Sequence, residues 1–240
     1  MRSRLTSLLS WITAACLTTQ AAASELCTED AMVVFDGSGS MAEMGFNRLG
    51  EPRIFEARQA MRDALPGIAA NRRLGLVVYG PGNAGPCDSV DLRFRPVWNA
   101  AGPIIGAVEA LWPAGATPLT DAVAAAAEAL DYRTQPGAVV LITDGRETCG
   151  GAPCVLADAL ARDGADLTVH VIGFKVLSEH FDWTQPRADT RAVSTARCLA
   201  DRTGGHYVDA QTAQDLVAAL RMTLGCQIIG RVDPVPLPKN

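Results

Sequence analysis

The sequence of 240 residues lacks several patterns that would assign it to a familiar functional class. It has no run of basic residues, which argues against nucleic acid and anionic membrane surfaces as partners. It has no Gly-Lys-Ser/Thr loop for nucleotide phosphates and no Gly-x-Ser-x-Gly elbow for a nucleophilic serine. It has no Cys-x-x-Cys pair, and beyond the N-terminus no apolar run approaches the length of a membrane span. It also has no internal repeat and no low-complexity tract.

The N-terminus is typical of a secretory signal peptide. Arg2 and Arg4 precede the apolar run Leu5–Leu17, and three consecutive alanines then offer a cleavage site. We expect residues 1–23 to be removed and the mature chain to be periplasmic or secreted, without a membrane span. A membrane anchor is disfavoured because the run is short and rich in Ser and Thr, and lipidation at Cys16 is the other alternative. Loss of the two arginines leaves 19 basic against 26 acidic residues.

Short apolar runs rich in β-branched residues alternate with helical patterns along the chain. Because these runs are apolar at both odd and even positions, they are typical of strands that are buried on both faces. The predicted strands are Ala31–Phe35, Leu74–Tyr79, Val90–Phe94, Ala138–Thr143, Leu167–Phe174 and His206–Asp209. Helical patterns include the apolar faces Ile54–Ile68, Ile104–Leu111 and Leu216–Leu224, the alanine-rich run Asp121–Leu130, and the segments Val155–Arg162 and Arg191–Arg202.

This alternation predicts an α/β fold of three layers with a doubly wound, six-stranded sheet. We expect the strand order 3-2-1-4-5-6, mostly parallel, as in Rossmann-like folds. The third strand follows the second after a loop alone, so it should be a short antiparallel edge. We assign the domain to residues 24–230 and predict a loose, proline-containing tail at 231–240.

Oxygen-bearing side chains follow the predicted strands at one end of the sheet. The first strand ends in Asp36, and Ser38 and Ser40 follow at alternate positions. The fourth strand is followed by Asp144, and Thr117 precedes the alanine-rich helix. In an open α/β sheet with this order, the first and fourth strands border the ligand crevice, so the three segments should converge there. A set made only of oxygens suits Mg²⁺ or Mn²⁺, and Ca²⁺ less well.

These segments resemble the metal-ion-dependent adhesion site of von Willebrand factor A domains. The matching features are Asp-x-Ser-x-Ser at Asp36–Ser40, Gly-x-Thr-Pro-Leu at Gly115–Leu119 and Thr-Asp-Gly at Thr143–Gly145. Three stretches resemble a bacterial exported subgroup that is similar to the A-type domains of calcium-activated chloride-channel-like proteins: Gly75–Gly80, Thr143–Cys154 (TDGRETCGGAPC) and Cys198–Tyr207 (CLADRTGGHY). The resemblance implies a complete site, with the metal held by Asp36, Ser38, Ser40, Thr117 and Asp144, in part through water.

The resemblance implies an adhesion or assembly module rather than an enzyme. In such a module, an Asp or Glu of an unidentified partner protein completes the coordination of the metal. We expect exposed apolar residues after the metal loop (Met41, Met44 and Phe46) to contact that partner, unless they fold inward. Two alternatives remain: a metal-dependent, phosphatase-like hydrolase, and a structural subunit with a vestigial site. A hydrolase is disfavoured because an aspartyl phosphatase would carry a second Asp at position 38.

Six cysteines remain after the predicted cleavage, and an even number in an exported chain predicts three disulfides rather than a metal cluster. Cys27 precedes the first strand, and Cys226 follows a helix that returns to the same edge of the sheet. We therefore predict a Cys27–Cys226 bridge, which A domains often have. Two pairings remain open for the others. We prefer Cys149–Cys154 with Cys87–Cys198, and the alternative is Cys87–Cys149 with Cys154–Cys198.

Overall fold

The structure is a computed structural model that describes residues 27–44, 50–82, 85, 87–176 and 190–226, with only the backbone for 190–195. The predicted signal peptide (1–23) and the predicted tail (231–240) lie outside these residues, and so does Phe46. The domain boundaries at 24 and 230 therefore stay predictions. None of the described helices has both the length and the apolar character needed to cross a membrane.

A six-stranded sheet with helices on both faces forms the described part of the chain. Its strands are β1 (Asp30–Asp36), β2 (Leu74–Tyr79), β3 (Asp91–Val97), β4 (Gly137–Thr143), β5 (Leu167–Phe174) and β6 (Tyr207–Ala210). Its helices are α1 (Arg53–Ala69), α2 (Ala101–Glu109), α3 (Leu119–Ala129), α4 (Pro153–Asp163), α5 (Thr190–Thr203) and α6 (Ala213–Leu224). The strand order is β3-β2-β1-β4-β5-β6, and only the β2–β3 pair is antiparallel. The predicted fold class and strand order are confirmed.

The edge strand β3 differs most from its predicted bounds. It ends at Val97, three residues beyond the predicted end at Phe94. The extension includes Pro96, which cannot donate to a strand ladder but is tolerated at an edge. Most of its side chains are exposed or half-buried, so its apolar pattern is weak and its end is hard to place from sequence.

Two cores lie on opposite faces of the sheet. Val33 and Phe35 of β1 pack with helices α1, α2 and α6 on one face. Met32 and Val34 of the same strand pack with α3, α4 and α5 on the other. Because both faces are covered, β1 is apolar at every position from Ala31 to Phe35, which is the pattern that predicted a central strand.

The register of the sheet positions the candidate site. β1 pairs in parallel with β4, and Phe35 lies opposite Ile142. The next residues along these strands, Asp36 and Thr143, therefore reach the same edge of the sheet together. Asp36 also lies opposite Tyr79 at the end of β2. The carboxyl ends of three neighbouring strands thus meet at one place, as the predicted order requires.

Three disulfides join the six cysteines, and their pairs are Cys27–Cys226, Cys87–Cys149 and Cys154–Cys198. The predicted terminal bridge is confirmed, with Cα atoms 5.2 Å apart. The preferred pairing of the other four was wrong, and the alternative is present. Cys154 on α4 and Cys198 on α5 lie on neighbouring helices with Cα atoms 5.3 Å apart. The loop after β2 brings Cys87 to the loop after β4, where its Cα atom is 5.5 Å from that of Cys149.

Candidate metal centre

The Asp36 carboxylate lies at the end of β1 and is fully buried. One of its oxygens accepts a hydrogen bond from the backbone N–H of Ser38 at 2.8 Å. The other accepts from the hydroxyl of Thr143, the last residue of β4, at 2.7 Å. The carboxylate is therefore held between the ends of two adjacent strands. Thr143 was not among the predicted site residues, although its position directly before Asp144 could have suggested this supporting role.

A chain of hydrogen bonds runs from this loop to Asp144. The hydroxyls of Ser38 and Ser40 lie 3.1 Å apart. Ser40 then donates to Oδ1 of Asp144 at 2.6 Å, and Nη1 of Arg53 donates to its Oδ2 at 2.9 Å. Four predicted residues, Asp36, Ser38, Ser40 and Asp144, are thus brought together at the carboxyl edge of the sheet.

Close backbone packing shapes the loops around these side chains. Gly80 and Gly115 have φ angles of +107° and +79°, which L side chains rarely adopt. A Cβ at Gly80 would collide with the backbone of Gly37 and Ser38, and one at Gly115 would collide with the carbonyl of Gly80. Two backbone hydrogen bonds, Gly39 N–H to Gly115 O and Ala114 N–H to Gly37 O, complete the contact. Three loops therefore meet at the serine segment.

The fifth predicted residue, Thr117, lies on the loop that begins with this contact and is buried. Its backbone N–H donates to the Thr148 hydroxyl at 2.8 Å, and the N–H of Thr148 donates to its carbonyl at 3.1 Å. Among the described residues, no hydrogen bond joins its own hydroxyl to the other four predicted side chains. Thr117 is therefore brought to the same edge of the sheet through its backbone.

Glu147 fixes the loop after β4 and was not predicted from the sequence. Its Oε2 accepts from the N–H and the hydroxyl of Thr120, and its Oε1 accepts from the N–H of Cys149. The Cys87–Cys149 bridge ties the same loop to the one after β2. The loop that carries Asp144 is therefore anchored to the start of α3 and to a second loop.

The electrostatics of the site favour a cation. Burial and, secondarily, the charge of the nearby Asp36 raise the pKa of Asp144 to about 7, against the opposing effect of hydrogen bonds from Ser40 and Arg53. The Tyr79 hydroxyl is fully buried beside Asp36, and among the described residues it has no hydrogen-bond partner of good geometry. Burial, followed by the charge of Asp36, raises the pKa of Tyr79 well above its usual value. The site thus concentrates negative charge and buried oxygens.

This donor set fits a hard divalent ion rather than a soft one. Within the described ranges, no group of three or more His, Cys, Asp or Glu side chains is placed to hold a metal. A metal at this edge would depend on hydroxyl oxygens and water in addition to the two carboxylates, which is typical of Mg²⁺ and Mn²⁺. Asp36 and Asp144 would supply charge, and the hydroxyls of Ser38, Ser40 and Thr117 would supply neutral ligands.

The buried Arg53 also belongs to the site and was not predicted from the sequence. Its side chain is 1 % exposed, and it is the first residue of α1. A signal was available, because Arg53 shares a helix face with Ala57, Ala60 and Ala64, which are all buried. A cationic residue at a buried position of an amphipathic helix requires an anionic partner. That partner is Asp144.

Comparisons with known proteins agree with this architecture. Residues 31–147 match the family model of the von Willebrand factor type A domain. The chain is 27 % identical to the uncharacterized protein YwmD of Bacillus subtilis over 207 residues, which is 82 % of this chain and 86 % of that protein.

Solved structures share the fold at low sequence identity. An aerotolerance-related membrane protein from Bacteroides fragilis superposes with a TM-score of 0.57 at 17 % identity, covering 82 % of this chain and 98 % of that one. Proximal thread matrix protein 1 from the mussel byssus, in a form with a zinc-occupied metal-ion-dependent adhesion site, gives a TM-score of 0.52 at 18 % identity. That match covers 83 % of this chain and 48 % of the mussel protein. The match to the family model, together with this fold, identifies residues 31–147 as part of a von Willebrand factor type A domain, a domain that often mediates protein interactions.

Proposed function

We propose that this chain is an exported protein-binding module that captures an acidic side chain of a partner through a divalent ion, for which Mg²⁺ is the expected species. The observation that carries the proposal is the chain of hydrogen bonds from Asp36 through Ser38 and Ser40 to Asp144. A divalent ion held by two carboxylates and neutral hydroxyls remains electrophilic and can accept one further carboxylate. The three disulfides support export, because such bonds persist in oxidising compartments.

The environment of Asp36 favours a binding role over hydrolysis. A nucleophilic carboxylate needs an oxygen that can reach the substrate. Both oxygens of Asp36 accept hydrogen bonds, and the residue is fully buried. A metal can be held by Asp36 through water, whereas nucleophilic attack needs direct contact, so this arrangement supports the module rather than the phosphatase-like alternative.

An exposed apolar surface near the site suits a protein partner. Met44, Phe55 and Trp112 are 55 %, 48 % and 86 % exposed, respectively. Met41, which was also expected there, is fully buried. Arg58 links Phe55 to the segment that carries Trp112. Its guanidinium lies over the Phe55 ring and donates to the carbonyl of Leu111, the neighbour of Trp112. Large apolar side chains beside an electrophilic ion would contact residues that flank the partner's acidic side chain.

Metal binding is tested by its effect on stability. Mg²⁺ or Mn²⁺ at about one hundred times its dissociation constant should raise the free energy of unfolding of the wild type by about 2.7 kcal/mol. Asp36→Ala should abolish the increase, because it removes the buried carboxylate at the centre of the hydrogen-bond chain. Asp63→Ala is the matched control, since Asp63 is an exposed acid on α1. Equal responses of Asp36→Ala and wild type would overturn the metal assignment.

Partner binding is tested by recovering proteins from an exported-protein extract on immobilised chain. Proteins that are retained in Mg²⁺ and released by chelator are expected, and both Asp36→Ala and Trp112→Ala should reduce their recovery. Trp112→Ala should change the stability of the folded chain by less than about 0.5 kcal/mol, because the side chain is exposed. Recovery of the same proteins in Mg²⁺ and in excess chelator would overturn a metal-dependent interaction.

A further inference from the structure

We propose that Arg53 sets the charge of the metal centre, so that it weakens metal binding and strengthens binding of the acidic ligand. This inference rests on the proposed function. It concerns a residue outside the oxygen donor set, whose guanidinium contacts Asp144 on the side away from Ser40.

The position of Arg53 is fixed by the backbone around it. The backbone N–H of Arg53 donates to the carbonyl of Glu43 at 3.0 Å, and Met44 forms a β-bridge with Pro52. These contacts hold the start of α1 against the loop that follows Ser40. The guanidinium therefore reaches Asp144 without reorganisation, and its 2.9 Å contact is made by two fully buried side chains.

The guanidinium of Arg53 reduces the net negative charge around a bound metal. Asp36 and Asp144 together carry two negative charges when ionised, and Arg53 offsets one of them. Its contact with Glu43 is weaker, because the two side chains lie 3.7 Å apart and Glu43 is mostly exposed to solvent. The buried cation Lys175 is paired at 2.8 Å with Glu56, which lies on the same helix as Arg53, so that pair adds no net charge. A buried positive charge beside the site acts at low effective dielectric, where its influence is large.

Two opposite consequences follow from one positive charge. A divalent ion is repelled by Arg53 and meets a carboxylate that is already paired, so it binds less tightly than the two aspartates alone would allow. The loaded centre keeps a more positive charge, so it attracts an anionic ligand more strongly. The same residue also stabilises the chain before metal binds, because a buried carboxylate without a cation is costly. Arg53 would thus keep the metal exchangeable and make tight metal binding depend on the presence of the acidic ligand.

The test measures metal affinity and carboxylate affinity separately, in 0.1 M salt at pH 8. Mn²⁺ binding is followed by the loss of the electron paramagnetic resonance signal of free Mn²⁺. Acetate binding to the Mn²⁺-loaded chain is followed by the relaxation rate of water protons. Arg53→Met should bind Mn²⁺ at least about tenfold more tightly and acetate at least about threefold more weakly, as expected for removal of one buried charge. Arg53→Lys keeps the charge and should stay within about threefold of the wild type for both ligands.

Arg62→Met is the matched control. Arg62 lies on the same helix, is exposed, and pairs with Glu109. It is nine residues along the helix from Arg53, about 13 Å, so salt screens its charge from the site. Arg62→Met should leave both affinities unchanged.

The outcomes separate the inference from the function on which it rests. Misfolding of Arg53→Met would lower both affinities, so opposite changes cannot arise from loss of structure. If the wild type binds Mn²⁺ and acetate, and Arg53→Met matches Arg62→Met in both measurements, the role of Arg53 is wrong while the proposed function stands. If Arg53→Lys behaves like Arg53→Met, the charge argument is wrong. If the wild type binds no Mn²⁺, the proposed function itself fails.

Discussion

The two ends of the sheet both bury charged side chains, but they balance the charges differently. At the carboxyl ends of the strands, two carboxylates, Asp36 and Asp144, lie close to one guanidinium. At the opposite ends, Arg72 donates to the carbonyls of Glu29 and Leu224, and its guanidinium lies 3.8 Å from the Glu29 carboxylate. The first arrangement has an excess of negative charge, whereas the second cation is already held by backbone dipoles and an acid. This difference agrees with the metal site proposed at the first end, which we call the metal end, and with a structural role for the second, which we call the closing end.

The closing end also contains the histidines and the bridge between the two ends of the domain. His170 and His206 stack with ring centroids 5.4 Å apart, and Cys27 is bonded to Cys226 nearby. These residues line a cavity of about 850 Å³ together with Arg72. If the two ends have separate roles, changes at the closing end should alter stability alone, and changes at the metal end should also alter metal binding.

The largest expected effect comes from the bridge at the closing end. Replacing Cys27 and Cys226 together by serine opens a loop with a sequence separation of 199 residues. The chain-entropy model gives a loss of at most about 5 kcal/mol in the free energy of unfolding. Denaturant titration measures this loss, and the increase in stability on adding Mg²⁺ should stay the same as in the wild type. A reduced Mg²⁺ response would show that the two ends are coupled.

Removing the Cys87–Cys149 bridge at the metal end should lower stability slightly less, but it should also weaken metal binding. The Cys87–Cys149 loop has a sequence separation of 62 residues, which corresponds to at most about 4 kcal/mol. Cys149 follows Thr148, the partner of Thr117, and its N–H is held by Glu147. Replacing both cysteines by serine should therefore also weaken Mn²⁺ binding by about tenfold, roughly 1.4 kcal/mol.

The serine pair at Cys27 and Cys226 is the natural control for this experiment, because it removes a longer loop far from the site. Calorimetric titration of each variant with Mn²⁺ gives the comparison. Equal Mn²⁺ affinities in the two variants would contradict the view that the Cys87–Cys149 bridge organises the loop that carries Asp144.

The sequence was sufficient to predict the fold because burial on both faces leaves a strong signal in β1, β2, β4 and β5. It was sufficient to predict which oxygens gather, because the strand order alone brings Asp36 and Asp144 to the same edge. The counter-charge from Arg53 was not predicted, because it depends on how closely the start of α1 approaches the loop that carries Asp144. That distance is a property of tertiary packing, for which a single sequence has no direct pattern.

The disulfide pairing shows the same limit. Cys27 and Cys226 could be paired because the direction of β1 and α6 decides which edge they reach. Cys87 could not, because the reach of an irregular loop decides its partner. The glycines at 150 and 151 made a local Cys149–Cys154 bridge sterically reasonable, but Cys154 lies in the first turn of α4 and is bonded to α5. Helix packing therefore decided the partner of Cys154.

The smallest of the expected effects is a pH dependence at the closing end, centred on His170. Its Nδ1 accepts a hydrogen bond from the backbone N–H of His206 at 3.1 Å, so this nitrogen carries no proton in the folded chain. Burial and, to a smaller extent, the neighbouring His206 and Arg72 lower the pKa of His170 to about 4. Because the pKa in the unfolded chain is about 6.5, protonation favours unfolding.

The contribution of neutral His170 to stability is therefore fully present above about pH 6.5 and is lost as the pH falls toward 4. Each pKa unit corresponds to about 1.4 kcal/mol, so the loss is at most about 3 kcal/mol. His170→Asn keeps an acceptor for the His206 N–H but cannot be protonated, so its free energy of unfolding should fall less than that of the wild type between pH 7 and pH 4.5. His206→Asn, at an exposed position, is the control and should have a smaller effect. Denaturant titrations at both pH values measure these changes. An equal fall in the free energy of unfolding for wild type and His170→Asn would show that His170 does not contribute to the pH dependence of stability.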